Sequence, residues 1–172
     1  MAVSRLEKAI GRLAACRACL DRGARMIADL PGPVFELGLG NGRTYDHLRE
    51  ILPGRDIYVF EREIAAHPDC VPDDDHLFLG DIADTLPRAV ERFAGRVALL
   101  HADVGGFDRA LNARVAATIV PYVPRLVRPG GIVVTSVVFD GLEPYDPGPL
   151  PAGAEPGTYF MHRPVAVRSP ET

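Results

Sequence analysis

The stretch "PVFELGLGNGRTYDHL", residues 33–48, decides how the rest of the chain is read. A mostly apolar run, Val34-Phe35-Glu36-Leu37, leads into three glycines at alternate positions, Gly38, Gly40 and Gly42. Tyr45 and Leu48 then fall at helical spacing. A strand is turning into a helix, and glycine there costs stability through the backbone freedom it loses on folding. Either the geometry of the turn or a ligand lying against the backbone must require it.

On the N-terminal side, Val3, Leu6, Ile10, Leu13, Cys16 or Arg17, Leu20 and Ile27 recur at helical spacing. They predict an amphipathic helical segment over residues 1–30, interrupted near Gly23 and stopped by Pro31-Gly32-Pro33. On the C-terminal side, a helix through Ile51 and Leu52 ends at Pro53-Gly54, and "DIYVFE" (56–61) reads as a second strand. A weak helix cut by His67-Pro68 and an acidic loop, "PDDDH", lead to a third strand, 76–81. Thr85-Leu86-Pro87 opens a helix that buries Leu86, Val90 and Phe93 and closes at Gly95. A fourth strand, 96–103, is apolar on both faces, as a central parallel strand needs to be. Past Gly105-Gly106, Leu111, Val115 and Ile119 mark another helix, broken by Pro121 and Pro124 before "VRPGG" turns into a fifth strand, 132–139.

Alternation of this kind predicts an α/β fold: a doubly wound, mostly parallel sheet with helices on both faces. Right-handed crossovers then place ligands at the carboxyl ends of the strands. The chain reads as one domain over residues 1–172, with its core at 33–139. Residues 140–172 form a divergent, Pro- and Gly-rich loop followed by "TYFMHRPVAVR", one or two edge segments, so the C-terminal edge is abbreviated.

The net charge of −4 argues against a nucleic-acid partner, since a phosphate backbone calls for a basic face. No apolar run approaches the ~20 residues of a membrane span, and the N-terminus lacks the pattern of a signal peptide. The expected location is the cytoplasm. Cys16 and Cys19 form a C-x-x-C inside a helical segment without a second ligand pair, and Cys70 stands alone, so all three read as reduced apolar fillers.

A nicotinamide or flavin fingerprint, G-x-G-x-x-G, asks for a third glycine where Arg43 stands, and a phosphate loop asks for a lysine that this stretch lacks. What fits is an acidic residue two positions before alternating glycines: Glu36-Leu37-Gly38-Leu39-Gly40-Asn41-Gly42. This resembles motif I, E/D-x-G-x-G-x-G, of the class I S-adenosylmethionine-dependent methyltransferases, a Rossmann-like family. The chain looks like a small, bacterial-type, single-domain member, and the resemblance runs over about residues 30–138. It implies S-adenosylmethionine as methyl donor. Gly38, Gly40, Asn41 and Gly42 would lie against its methionine portion, and Glu36 would hold its ammonium or organise the loop. Glu61, followed by Arg62 at the end of strand two, would accept the ribose hydroxyls, a geometry shared by nucleoside-binding α/β folds. Asp81 would meet the adenine amino group, with Ile82 against the ring.

"LLHADVGG" (99–106) resembles the "HIDG" segment of small-molecule O-methyltransferases. His101 and Asp103 are therefore the candidates for catalysis, and Asp103 also for donor contact. Their structural alternatives are a buried, hydrogen-bonded histidine and a helix cap. No metal is predicted: Asp140, Asn112 or Asp108 would have to complete a ligand set, and no spacing compels it. Tyr145, Tyr159 and His162 lie in the tail, where Tyr159 reads as strand packing in preference to a pocket cover. The implied function is methyl transfer to a small-molecule acceptor, with a homo-oligomer as one way to complete the acceptor pocket. The alternative is a catalytically silent donor-binding or assembly subunit that works with a partner protein.

Overall fold

All four residues of Val34–Leu37 (β1) are buried, as a strand must be when helices cover both faces of its sheet. The computed structural model describes residues 3–104, 106 and 108–164. The strands that follow are Ile57–Glu61 (β2), Leu77–Leu79 (β3), Val97–Ala102 (β4), Val127–Thr135 (β5), Glu143–Tyr145 (β6) and Phe160–Arg163 (β7). They form one sheet ordered β3-β2-β1-β4-β5-β7-β6. β1 to β5 are parallel, whereas β7 runs antiparallel to β5 and β6 antiparallel to β7.

Successive side chains of a strand point to opposite faces, and two cores result. On one face Phe35, Leu37, Leu100 and Val133 pack against Ile82–Phe93 (α3), Arg109–Ile119 (α4) and the short Val123–Leu126 (α5). On the other, Val34, Leu99, Ile132 and Val134 pack against Arg5–Met26 (α1) and Arg43–Ile51 (α2). Each fully buried side chain of this size is worth about 1.5–3 kcal/mol relative to exposure. The doubly wound expectation holds.

Several details depart from the sequence reading. α1 is unbroken, and Gly23 lies buried inside it; a Cβ there would come within 2.9 Å of Leu99 Cδ1, so the missing side chain lets the helix lie close against β4. The inward face of α1 is Ala15, Cys16, Cys19, Leu20 and Ala24, whereas Val3, Leu6, Ile10 and Leu13 are exposed. Length explains this. The 22 residues of α1 span about 33 Å, the 6 residues of β4 only about 20 Å, and the helix overhangs the carboxyl ends of the strands.

The described residues between β2 and β3 form two 3-10 turns, Pro68–Cys70 and Asp74–His76, in place of an α-helix. The aspartate run is capping chemistry: Asp73 Oδ1 accepts from the His76 backbone N–H at 3.1 Å and pairs with His76 Nδ1 at 2.7 Å. α3 starts three residues earlier than Thr85, because Asp81 caps it. Pro87 is tolerated inside the helix, where the carbonyl that loses its N–H partner belongs to exposed Ala83.

β5 begins at Val127 and ends at Thr135, not at residue 139. Its register against β4 jumps from Val97–Val127 to Leu99–Ile132, and the intervening "RPGG" bulges out with Gly130 at φ +83°. The abbreviated C-terminal edge still completes seven strands; β7 is antiparallel as expected but lies between β5 and β6, and the edge is β6, inside the segment expected as loop. Gly105, and residues 165–168 of the expected last segment, lie outside the described residues.

Candidate functional site

The strand order reverses beside β1: the chain proceeds outward to β2 and β3, then returns to place β4 on the other flank of β1. At such a switch point the loops after the two central strands diverge and leave a crevice. A cavity of about 530 Å³ opens there. It is walled by Gly38, Gly40 and Asn41 after β1, Glu61 at the end of β2, Asp103 after β4, and Arg12 from the overhanging part of α1. Asp108, Leu111, Asn112 and Val115 of the α4 region close the opposite side. A second cavity of about 410 Å³, between α1 and α2, contains none of the strand-end residues.

The three glycines serve three purposes. Gly38 (φ +88°) sits where a Cβ would come within 3.1 Å of the Asp103 carbonyl oxygen. Gly42 (φ +84°) precedes α2, and a Cβ there would overlap Cys70 Cβ at 2.4 Å. Gly40 (φ +53°) has no atom within 4 Å of where its Cβ would be, and lies on the cavity wall. The turn is held from below by Glu61. Its Oε2 accepts from the Leu39 and Gly40 N–H groups at 2.8 and 3.0 Å, and its Oε1 accepts from the Arg62 N–H at 2.7 Å.

Not every expected residue reaches the cavity. Asp81 is exposed and accepts from the Ala83 N–H at 2.9 Å as the cap of α3; it and the half-buried Ile82 stand outside the wall, as does exposed Arg62. Glu36 is fully buried: Thr44 Oγ1 donates to its Oε1, and its Oε2 lies 2.5 Å from His101 Nδ1. Through Thr44 it ties the start of α2 to β1. His101 is also fully buried, so the histidine nominated for acceptor chemistry stands behind the cavity wall. Glu36 and His101 meet because they are partners in the β1–β4 register and face the same side. Burial alone would make His101 less basic, but the Glu36 charge and the hydrogen bonds of Cys16 and Glu36 outweigh it and push its pKa up to about 10.

His101 Nε2 contacts the Tyr159 hydroxyl at 3.4 Å, and the Tyr159 ring lies 5.9 Å from the Arg12 guanidinium carbon. Arg12 Nη1 donates to Asp103 at 3.1 Å and 3.4 Å. Asp103 thus faces the cavity paired to α1, not as a helix cap; Asp108 caps α4, accepting from the Ala110 and Leu111 N–H groups at 2.9 and 3.1 Å. Asn112 spends its amide on the backbone of Gly106. Among the described residues no three His, Cys, Asp or Glu side chains gather as a metal site. Tyr145 accepts from Arg22 at 3.3 Å, and His162 packs against Phe139.

Sequence reasoning missed Arg12 and Thr44, and for Tyr159 it preferred packing to a pocket cover. The signal for Arg12 is a charge at position 12 on the face that continues as Ala15, Cys16 and Cys19, the buried side of α1. Tyr159 gives no comparable signal, because only the docking of the tail brings it to His101.

No helix among the described residues is long and apolar enough to cross a membrane. Residues 3–164 match the family described as S-adenosyl-L-methionine methyltransferase. The crystal structure of an S-adenosyl-L-methionine methyl transferase from Silicibacter pomeroyi DSS-3 is 48% identical over 95% of this chain and 100% of that one, with a TM-score of 0.85. Human methyltransferase-like protein 13 in complex with SAH shares the fold at 14% identity and a TM-score of 0.57, over 99% of this chain and 86% of that one. An O-methyltransferase family protein from Burkholderia thailandensis shares it at 14% identity and a TM-score of 0.54, over 91% and 57%. No curated protein matches the chain. With the family matched across nearly its whole length and the glycine turn, Glu61 and Asp103 gathered at the switch point, this chain belongs to the S-adenosyl-L-methionine methyltransferases.

Proposed function

We propose that this methyltransferase holds S-adenosylmethionine across the carboxyl ends of β2, β1 and β4 and methylates a small molecule that enters beside Asp103. The observation that carries the reading is the cavity at the switch point, where an open Gly40, the Glu61 carboxylate and Asp103 converge. Its volume lies within the range of about 300–1,000 Å³ typical of small-ligand pockets. The residues fit the donor. Gly40 lets a ligand lie against backbone where a side chain would stand, and of the four backbone N–H groups that Glu61 accepts from, the longest, Glu63 at 3.4 Å, is the one a ribose hydroxyl would replace. The adenosine would then run toward the ends of β2 and β3, where Asp81 has a second carboxylate oxygen and Ile82 an apolar side chain.

The bound donor supplies an electrophilic methyl group on a positively charged sulfonium. The chain's part is alignment: the glycine turn and Glu61 fix one reactant, and the wall formed by Asp103, Leu111, Asn112 and Val115 orients the other. Alignment of this kind supplies much of the rate of an in-line displacement. The negative net charge and the modest cavity favour a small molecule over a nucleic acid as acceptor.

Isothermal titration is expected to show saturable binding of S-adenosylmethionine and its demethylated product, S-adenosylhomocysteine. Gly40→Val, which fills the open wall, and Glu61→Ala should abolish it. No binding at millimolar donor would refute the site. Transfer of labelled methyl to protein or nucleic acid, and to no member of a panel of small hydroxy, amino and thiol compounds, would refute the acceptor class.

A further inference from the structure

We propose that the cleft between α1 and α2 is a second ligand site, built for a small organic acid with an apolar body and one anionic group. Ile10, Leu13, Ala14 and Arg17 recur at helical spacing and share one face of α1; on α2, Arg43 and Thr44 each neighbour His47 at the same kind of spacing. The two faces enclose the cavity of about 410 Å³, which lies within the size range of small-ligand sites. His47 Nε2 meets Asp21 Oδ1 at 2.8 Å and ties the helices together just past Leu20. Toward the other end Ile10 and Leu13 remain 49% and 37% exposed. Apolar side chains left in water beside a cavity mark a surface that binds something. None of the residues proposed to hold the donor lines this cleft; Leu13, Arg43 and Thr44 line both cavities and stand between them.

The charges at the cleft are unbalanced. Asp21, the acid one helical turn past Arg17, is taken by His47, and Glu50 also turns to His47, at 3.9 Å. Asp46 pairs with Arg49 at 2.7 Å, and Thr44 donates to Glu36. Among the described residues, neither the Arg17 nor the Arg43 guanidinium has an ion-pair or hydrogen-bond partner. Two free guanidiniums beside an apolar lining select a ligand by charge as well as by shape. A cation is repelled, and a wholly apolar ligand would strip water from the arginines and replace it with nothing. An acid satisfies both demands: its carboxylate meets the planar fork of an arginine in two-point contact, and its body lies against Leu13, Ala14 and Leu20.

Isothermal titration of the full chain with octanoate and with phenylbutyrate, each beside its neutral amide, tests this, with S-adenosylhomocysteine as competitor. Both acids should bind saturably, and the amides at least about tenfold more weakly. Arg17→Gln combined with Arg43→Gln should weaken the acids by about ten- to a hundredfold, leave the amides within about twofold and leave the urea midpoint unchanged. Ala14→Phe, which fills the cleft, should abolish binding of acids and amides alike. No binding of either acid at millimolar concentration would overturn the proposal, as would acids and amides that bind equally well. Competitive displacement of the acids by S-adenosylhomocysteine would put them in the switch-point cavity and overturn it too. So would binding to phosphatidylglycerol vesicles by a chain that takes up neither acid, which would make the apolar end of α1 a membrane contact. Failure to bind S-adenosylhomocysteine with acid binding intact would count against the donor site and uphold the cleft.

Discussion

Glu36 and His101 are both fully buried 2.5 Å apart, so each is tolerated only with the other. Removing one member of such a pair leaves a buried charge uncompensated, and His101→Leu should cost about 3–5 kcal/mol in urea unfolding. The pair also sets a pH dependence. The folded-state pKa of His101, about 10, lies above its ordinary value of 6.5, so the native state binds the extra proton between those limits. Its stabilising contribution is complete below about pH 6.5 and is lost as pH rises through about 10, by about 1.4 kcal/mol per pH unit at most. Urea midpoints measured from pH 7 to 9.5 should fall for the natural chain and fall less for His101→Gln. The glycines differ at this scale as well. Gly42→Ala meets both a positive φ and Cys70 at 2.4 Å and should cost more than 2 kcal/mol, roughly the sum of backbone strain and overpacking. Gly40→Ala meets only the positive φ and should cost about 1–2 kcal/mol while still impairing donor binding.

At the scale of elements, the ends of helices are where side chains decide stability. Arg55 donates to the Leu30 and Gly32 carbonyls at 2.8 Å and to the Ile27 carbonyl at 3.1 Å, tying the end of α1 to the approach of β2. Arg55→Ala should therefore destabilise by about 1.5–3 kcal/mol, with no effect on the affinity of a site at the opposite end of the strands. Asp81 caps α3 and is proposed as a donor contact, and two variants separate these. Asp81→Ala should cost about 1 kcal/mol through the lost cap, whereas Asp81→Asn keeps the cap and should lower donor affinity alone. Unchanged affinity in Asp81→Asn would remove Asp81 from the donor site.

At the scale of the whole molecule, a ligand that binds only the folded chain raises its stability by mass action. S-adenosylhomocysteine at about a hundred times its dissociation constant should add ~2.7 kcal/mol, or roughly 5–10 °C in Tm for a chain of this size. Differential scanning fluorimetry should show that shift, and Gly40→Val should remove it.

What the sequence determined by itself is local or periodic. Alternating strands and helices followed from apolar spacing and from Gly and Pro punctuation. The glycine turn followed from three glycines whose positive φ values L side chains rarely adopt. Glu61 and Asp103 were legible because strand ends at a switch point converge whatever lies between them. Tertiary structure decided everything that depends on register and docking. Glu36 reads in its motif as an ammonium contact or a loop organiser, and only the β1–β4 register shows that it lies beside His101 with both buried. The first turns of α1 read as one apolar stripe of an amphipathic helix, and it is the excess length of the helix over the strands it covers that exposes Leu6 and carries Arg12 over the cavity to Asp103. Tyr159 reaches His101 only when the tail folds back as β7. Contacts between residues 58 to 91 positions apart leave no periodic trace in the chain, because nothing local requires them.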